Sequence, residues 1–335
     1  MSDVILRAEN LAVGYPAKAG HYVVAEGINI VLRRGECVCL IGPNGAGKST
    51  LIRTLCGMQK PLAGTIELDG RIPESMTALE RARVLSVVLT DRIEAGVMNA
   101  FSLVALGRHP YTGWSGKLRR EDIDKVHAAM KAAGCDELAD RSLMEISDGE
   151  RQKVMIARAL AQDPRVMILD EPTAFLDLPR RVEVTALLGR LAREENRAVL
   201  LSTHDLETAL RTADCLWLLP KKGPMVAGAP EDLVVDGSFV RLFAAEGLDY
   251  DSESAAFRMP FIDRGKIRVA GEPIASLWTK RAVERAGLQV DDDAKDFVEA
   301  TIDGDLVRWT LTMHGSCREG ESFYELVRAL RDKSW

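Results

Sequence analysis

Apolar positions along the chain fall into a few distinct patterns. Cys37-Val38-Cys39-Leu40-Ile41 is continuously apolar, as a strand buried on both faces of a parallel sheet is, and residues 166–169 and 198–201 repeat the pattern. Leu51, Ile52, Leu55 and Cys56 then recur at helical spacing after the first run, and Val184, Leu187, Leu188 and Leu191 mark a helix between the other two. Residues 4–35 read instead as short strands separated by turns, the clearest being 4–11 and 28–32. From about residue 91 to 157 the pattern is helical, with Ile123, Val126, Met130 and Ala133 three and four apart, and no heptad repeat is sustained.

The last part of the chain has a pattern of its own. A polar stretch, 249–254, reads as a linker; residues 265–270 predict a strand and 276–286 a helix with Trp278 near its start. Val298, Ala300 and Ile302 alternate with polar residues, Asp303-Gly304 supplies a hairpin turn, and Val307, Trp309, Leu311 and Met313 alternate on the return. Ser322 to Glu325 has the spacing of a capping box, followed by a stripe of Phe323, Leu326, Val327 and Leu330 that can cover such a sheet. The expectation is an α/β domain over 1–245, with a helical subdomain at about 91–157, and a small α+β domain over 250–335.

Composition narrows the picture modestly. With 335 residues, 47% hydrophobic and 28% charged, the chain has the make-up of a globular protein with room for about two domains. A net charge of −6 gives no general attraction to nucleic acid or to an anionic membrane surface. Six cysteines are scattered without metal-ligand spacing and read as small core residues in a reducing compartment. No secretory leader is visible at the N-terminus and no window approaches the ~20 apolar residues that span a bilayer. A cytoplasmic protein that meets membranes only through a partner is expected.

The chemistry is concentrated where the apolar strands end. Gly42-Pro43-Asn44-Gly45-Ala46-Gly47-Lys48-Ser49-Thr50 fits the phosphate-loop spacing, with a buried strand before it and a helix after it. That order aims backbone N–H groups and a helix N-terminus at one anion, while Lys48 can reach outer phosphates and the Ser49 hydroxyl can sit on an accompanying Mg²⁺. Asp170 and Glu171 stand at the end of a second buried strand, and Ser202-Thr203-His204-Asp205 at the end of a third, where ligands bind in open α/β sheets. Tyr15, between Gly14 and Pro16, reads either as an exposed turn residue or as a ring able to stack on a nucleobase.

Together with Ile146-Ser147-Asp148-Gly149-Glu150-Arg151-Gln152 and Leu176-Asp177, these motifs resemble those of ATP-binding cassette (ABC) ATPases over roughly residues 1 to 240. The resemblance implies a P-loop NTPase fold: a RecA-like core, an antiparallel β subdomain and a helical insertion. It implies ATP and Mg²⁺ as ligands, Gly42, Asn44, Gly45, Gly47, Lys48, Ser49 and Thr50 around the phosphates, and Tyr15 on adenine. Ser49 and Asp170 would hold the metal, Glu171 would act as general base, and His204 would contact the γ-phosphate. Ser147 and Gly149 would touch the γ-phosphate bound by a second subunit, so one phosphate loop and one signature per chain imply a head-to-tail homodimer.

The stretch from Leu103 to Tyr111, followed by Gly113-Trp114, is similar to the ATPase subunits of importers for iron-siderophores, haem and cobalamin. Such a subunit would sit on the inner face of the membrane through permease subunits, would meet a substrate-binding protein only indirectly, and would not bind nucleic acid. A soluble ABC ATPase uncoupled from transport is the alternative. Two departures from the family pattern stand out. Thr90 occupies the strand end where a glutamine normally touches metal and attacking water, and Asp148 and Glu150 stand where glycine and glutamine are commoner. Asp148 is expected to point away from phosphate, and Thr90 to act through water. The C-terminal domain carries no recognisable catalytic constellation.

Overall fold

The computed structural model describes residues 3–17, 20–89, 98–114, 116–174, 176–244, 249–251, 256–258, 264–304 and 306–332. The chain divides into two compact units, Met1–Phe257 and Arg258–Trp335.

The first unit opens with two long strands, β1 (Val4–Ala17) and β2 (Gly20–Arg33), followed by β3 (Cys37–Ile41), α1 (Lys48–Leu55), β4 (Ala63–Leu68), α2 (Ala78–Ala82) and β5 (Leu85–Val88). Helices α3 (Ala100–Ala105), α4 (Arg120–Ala132) and α5 (Asp148–Ala161) come next. They are followed by β6 (Val166–Leu169), α6 (Leu178–Glu195), β7 (Ala198–Ser202), α7 (Leu206–Thr212), β8 (Cys215–Leu218), β9 (Val226–Gly228), α8 (Pro230–Val235) and α9 (Ser238–Ala244). Six strands form one sheet in the order β5-β6-β7-β3-β8-β9, parallel except for β9. A separate antiparallel sheet runs β2-β1-β4.

Strand alternation explains how this unit packs. Cys37, Cys39 and Ile41 face one apolar cluster with Val126 and Met130 of α4, Val154 and Ile156 of α5, and Leu188 of α6. Val38 and Leu40 face the opposite cluster with Ile28 and Leu32 of β2 and Leu51, Ile52 and Leu55 of α1. A sheet buried on both faces has to be apolar at every position, which is why its strands read as unbroken runs. On α4 the expected stripe is buried at Val126 and Met130, while Ile123 stands at its exposed edge.

Tyr15 does not sit in a turn. It belongs to β1, opposite Tyr22 on β2, and Pro16 pairs with His21 beyond it. The register with β4 ends at Ala12. Past that point β1 has β2 alone as its sheet neighbour, so a proline without a backbone donor removes no ladder bond on the open side.

The polar stretch near the division holds a two-stranded sheet, β10 (Asp249–Asp251) with β11 (Ala256–Arg258). In the second unit β12 (Lys266–Gly271), α10 (Pro273–Ala286), β13 (Gln289–Val290), β14 (Phe297–Asp303), β15 (Leu306–Met313), β16 (Ser316–Gly320) and α11 (Phe323–Arg331) build a sheet of order β13-β12-β14-β15-β16 with its helices. The hairpin forms as the alternation predicts, with Val298 opposite Leu311 and Ala300 opposite Trp309. These residues share one core with Ile267, Leu326 and Leu330. Helix α10 starts three residues earlier than its apolar spacing indicates, because Pro273 suits a first helical turn. At α11 half of the capping box is made: the Ser322 side chain accepts from Glu325 N–H, whereas the Glu325 carboxylate accepts from Glu321 N–H.

Candidate functional site

Strand order places the chemistry. Because β6, β7 and β3 are adjacent and parallel, the residues that follow them leave the sheet side by side at one edge. After β3 the chain turns through Gly45 and Gly47, both left-handed at φ 79° and 101°, and enters α1 at Lys48. A side chain on Gly47 would be strained by that φ and would also meet Val24 Cγ1 at 2.3 Å. At Gly42 the obstacle is backbone, since a Cβ there would lie 2.3 Å from the Leu219 carbonyl oxygen. Lys48 is buried, and its Nζ donates to the Gly42 carbonyl at 2.8 Å and to that of Pro43 at 3.4 Å. Burial lowers the Lys48 pKa, and the charges of Glu171 and Asp170 pull it back up. Ser49 and Asn44 are exposed at the mouth of the loop.

Asp170 and Glu171 leave β6 in different backbone states. Asp170 is buried and its Oδ1 accepts from the Ser202 hydroxyl at 2.6 Å. Glu171 has φ 51°, a left-handed conformation that among the other described non-glycine residues is adopted only by Asn10, Asp69, Asp163, Asn196 and His314. Asn, Asp and His adopt it several-fold more readily than glutamate, for which the conformation costs about 1–3 kcal/mol and so is held by its surroundings. Here Glu171 N–H donates to Ser202 Oγ at 2.9 Å, and Glu171 Oε1 meets His204 Nε2 at 2.7 Å. Both acidic side chains are thereby tied to the end of β7.

Tyr15 is brought to the same region: its hydroxyl hydrogen-bonds Thr50 Oγ1 on α1 at 2.8 Å, and its side of the hairpin exposes Tyr22 and Val23 as well. Ser147 and Gly149 lie at the start of α5. Ser147 caps the helix in a full capping box with Glu150, and Gly149 faces the Arg180 side chain of α6. The Ser147 N–H donated to its carboxylate holds the Glu150 pKa below the usual range. Asp148 is exposed, and Thr90 lies outside the described residues. Asp177 and Asp205 serve as helix caps for α6 and α7.

The segment containing Arg108 has a structural role that its sequence did not announce. Arg108 is buried, with Nε donating to Asp122 Oδ1 at 3.0 Å, NH1 donating to the Ala161 carbonyl at 2.8 Å, and its guanidinium 4.0 Å from the Tyr111 ring centre. Gly107 lies against the carbonyl of Arg158, which a Cβ would meet at 2.2 Å. Ser202 is the residue of the site whose part was missed. The polar end of an otherwise apolar strand was the available signal.

A phosphate loop on the central strand, with carboxylates and a histidine on the neighbouring strand ends, defines a nucleoside-triphosphate-binding cassette. Residues 25–174 match the ABC transporter family, and residues 264–331 match the iron ABC transporter C-terminal domain. The chain is 43% identical to an ABC transporter ATP-binding protein of Methanocaldococcus jannaschii over 76% of its length and 87% of the relative's. It is 37% identical to the ferric enterobactin transport ATP-binding protein FepC of Escherichia coli over 75% of this chain and 91% of FepC. Among solved structures, CbiO1 of Clostridium perfringens, part of the transporter complex CbiONQ, superposes with a TM-score of 0.63 at 28% identity, covering 73% of this chain and 96% of CbiO1. The protein belongs to the ATP-binding subunits of ABC transporters and is an ATPase. Among the described residues no helix is long and apolar enough to cross a membrane.

Proposed function

We propose that this chain powers an importer for a ferric siderophore or a chemically similar chelate such as haem or a corrinoid. In this reading two copies pair head to tail beneath two permease subunits on the inner face of the membrane, with a substrate-binding protein on the far side. Support for iron comes from the match of residues 264–331 to the iron ABC transporter C-terminal domain, in a chain whose cassette is related to FepC.

The site residues take the following parts. Backbone N–H groups from Gly42 to Thr50 and the Lys48 ammonium bind the β- and γ-phosphates, and Tyr15 stacks on adenine from the exposed edge of the hairpin. Ser49 and Asp170 present hard oxygen donors, and among the described residues no cluster of three or more His, Cys, Asp or Glu forms a metal cage. That donor set suits Mg²⁺, which Ser49 and Asp170 would hold and which would supply charge neutralisation for the phosphates. Glu171 accepts the proton of the water that attacks the γ-phosphorus as the bond to the β-phosphate oxygen breaks, and His204 holds the γ-phosphate. Ser147 and Gly149 of the second copy close the site, so hydrolysis waits for the dimer and its release of phosphate reopens it.

The observation that carries the ATPase part is the convergence of Lys48, Asp170, Glu171 and His204 at one sheet edge. Glu171→Gln should keep ATP binding, slow turnover by about 10²-fold or more, and accumulate an ATP-bound dimer on sedimentation. Turnover near the parental rate removes Glu171 from the role. The transport part is tested by co-purifying the chain with its permease: a ferric siderophore presented with the binding protein should raise ATPase activity, and indifference to every iron chelate tried would remove iron from the reading.

A further inference from the structure

Ser202 is the last residue of β7 and is fully buried. Leu201 pairs with Leu169 in the parallel register, so Ser202 stands beside Asp170 at the point where β6 ends. Its hydroxyl has one proton and must serve two neighbours. A carboxylate only accepts and a backbone N–H only donates, so the direction of both bonds is forced. Glu171 N–H donates to Ser202 Oγ at 2.9 Å, and Ser202 Oγ–H donates to Asp170 Oδ1 at 2.6 Å, the short distance of a hydrogen bond to an ionised oxygen. Each bond polarises the next, so the three groups act as one unit.

The contact matters because of what it holds. Glu171 is in the left-handed region at φ 51°, which is costly for a glutamate, and the restraint on its amide is the serine. That φ sets the direction in which the Glu171 side chain leaves the strand, toward His204 Nε2 at 2.7 Å. On its other side the same oxygen fixes the rotation of the Asp170 carboxylate.

We infer that Ser202 is a positioning residue for hydrolysis, holding the Asp170 carboxylate and the left-handed backbone of Glu171 in one fixed relation through a single buried hydroxyl. The inference rests on the parts given above to Asp170 and Glu171. It assigns Ser202 no contact with nucleotide. With alanine in its place the Asp170 carboxylate loses a donor and the Glu171 amide loses its acceptor. Nucleotide affinity without Mg²⁺, assigned above to the loop after β3 and Tyr15, has no reason to change.

The test compares Ser202→Ala, Ser202→Thr and Glu171→Gln in the full chain. Ser202→Ala should lower kcat by about 10- to 100-fold, the usual effect of removing a group that orients a metal-holding or proton-accepting side chain. KM for ATP, and the affinity for a fluorescent ATP analogue in EDTA, should stay within about twofold. The Mg²⁺ concentration for half-maximal activity should rise about tenfold. Amide hydrogen exchange at Glu171 should accelerate, a readout that needs neither metal nor turnover. Ser202→Thr, which keeps the hydroxyl, should recover most of kcat and of the amide protection. If the alanine variant does not fold, Ser202→Cys takes its place, with the same loss expected from its weaker, longer donor.

A folded Ser202→Ala or Ser202→Cys enzyme with kcat within about twofold of the parent, beside an inactive Glu171→Gln, overturns the role of Ser202 alone. So does a loss of kcat with Glu171 exchange unchanged. Parental turnover by Glu171→Gln is a different result, and overturns the reading of the base on which the inference stands.

Discussion

Replacing Arg108 by alanine separates a packing role from a partner-contact role. Its guanidinium and the Asp122 carboxylate are 5% and 7% exposed, so the pair lies inside the protein, and removing one partner of such a pair costs about 3–5 kcal/mol. The lower end applies here. Asp122 Oδ2 also accepts from Arg119 N–H at 2.9 Å and lies in the first turn of α4, where the helix dipole favours a negative charge, so the carboxylate left behind keeps partial compensation. Against that, the Ala161 carbonyl loses its donor and the Tyr111 ring its stacked cation. A net loss of about 3 kcal/mol, at about 2–4 °C per kcal/mol for a unit of this size, lowers Tm by roughly 6–12 °C. Circular dichroism melts of the isolated chain measure it, and Asp122→Asn combined with Arg108→Ala in a double-mutant cycle should return a coupling of roughly 1–3 kcal/mol. A variant that melts within about 1 °C of the parent yet loses stimulation by the permease would refute the reasoning and give Arg108 a part in the permease contact instead.

The remaining predictions concern loop, thiols, pH and the C-terminal unit. Gly47→Ala meets both a φ of 101° and Val24 Cγ1, and strain of about 1–3 kcal/mol should weaken ATP binding roughly ten- to hundredfold by equilibrium titration. Burial raises the thiols of Cys37, Cys56 and Cys135 to about 12, so at pH 8 a thiol reagent should modify exposed Cys317 at once and those three only on unfolding, as peptide mapping would report. The N–H and hydroxyl of Thr77, with Arg71, lower the Glu80 pKa from the ordinary 4.5 to about 2. A depressed folded value stabilises above the unfolded one, so the start of α2 should hold above about pH 4.5 and lose this support as pH falls toward 2; an NMR titration of the Glu80 carboxyl with an ordinary midpoint would contradict it. A chain ending at Phe257 should still bind ATP, since the proposed nucleotide contacts lie before that residue. Its ATPase activity per subunit should fall more steeply on dilution if the C-terminal unit helps hold the dimer, and superimposable dilution curves would remove that role.

What the sequence determined by itself was everything carried by local order. A phosphate loop works through its own backbone, so spacing of Gly42, Gly47 and Lys48 between an apolar run and a helix identifies it without knowledge of any neighbour. Asp170, Glu171 and His204 were legible for a related reason: each directly follows a buried strand, and strand ends are where an open parallel sheet exposes its chemistry. The C-terminal hairpin was legible from alternation. The short strands β13 and β16 were not, because β13 is only two residues long and Ser316–Gly320 holds no apolar run to mark it.

Tertiary structure decided the contacts that depend on which elements lie side by side. Tyr15 reaches Thr50 because β1 continues past Pro16 along β2, an outcome set by the open edge of that sheet and invisible in a Gly-Tyr-Pro triplet. Arg108, which the sequence showed only as part of a stretch similar to importer ATPases, is the buried tie between Asp122 and Ala161, since burial of a charge depends on partners 14 and 53 residues away. Ser202 meets Asp170 and Glu171 across 32 and 31 residues through the register of β6 with β7. Spacing along a chain tells which residues a strand ends with; only the order of strands in the sheet tells which of those ends touch.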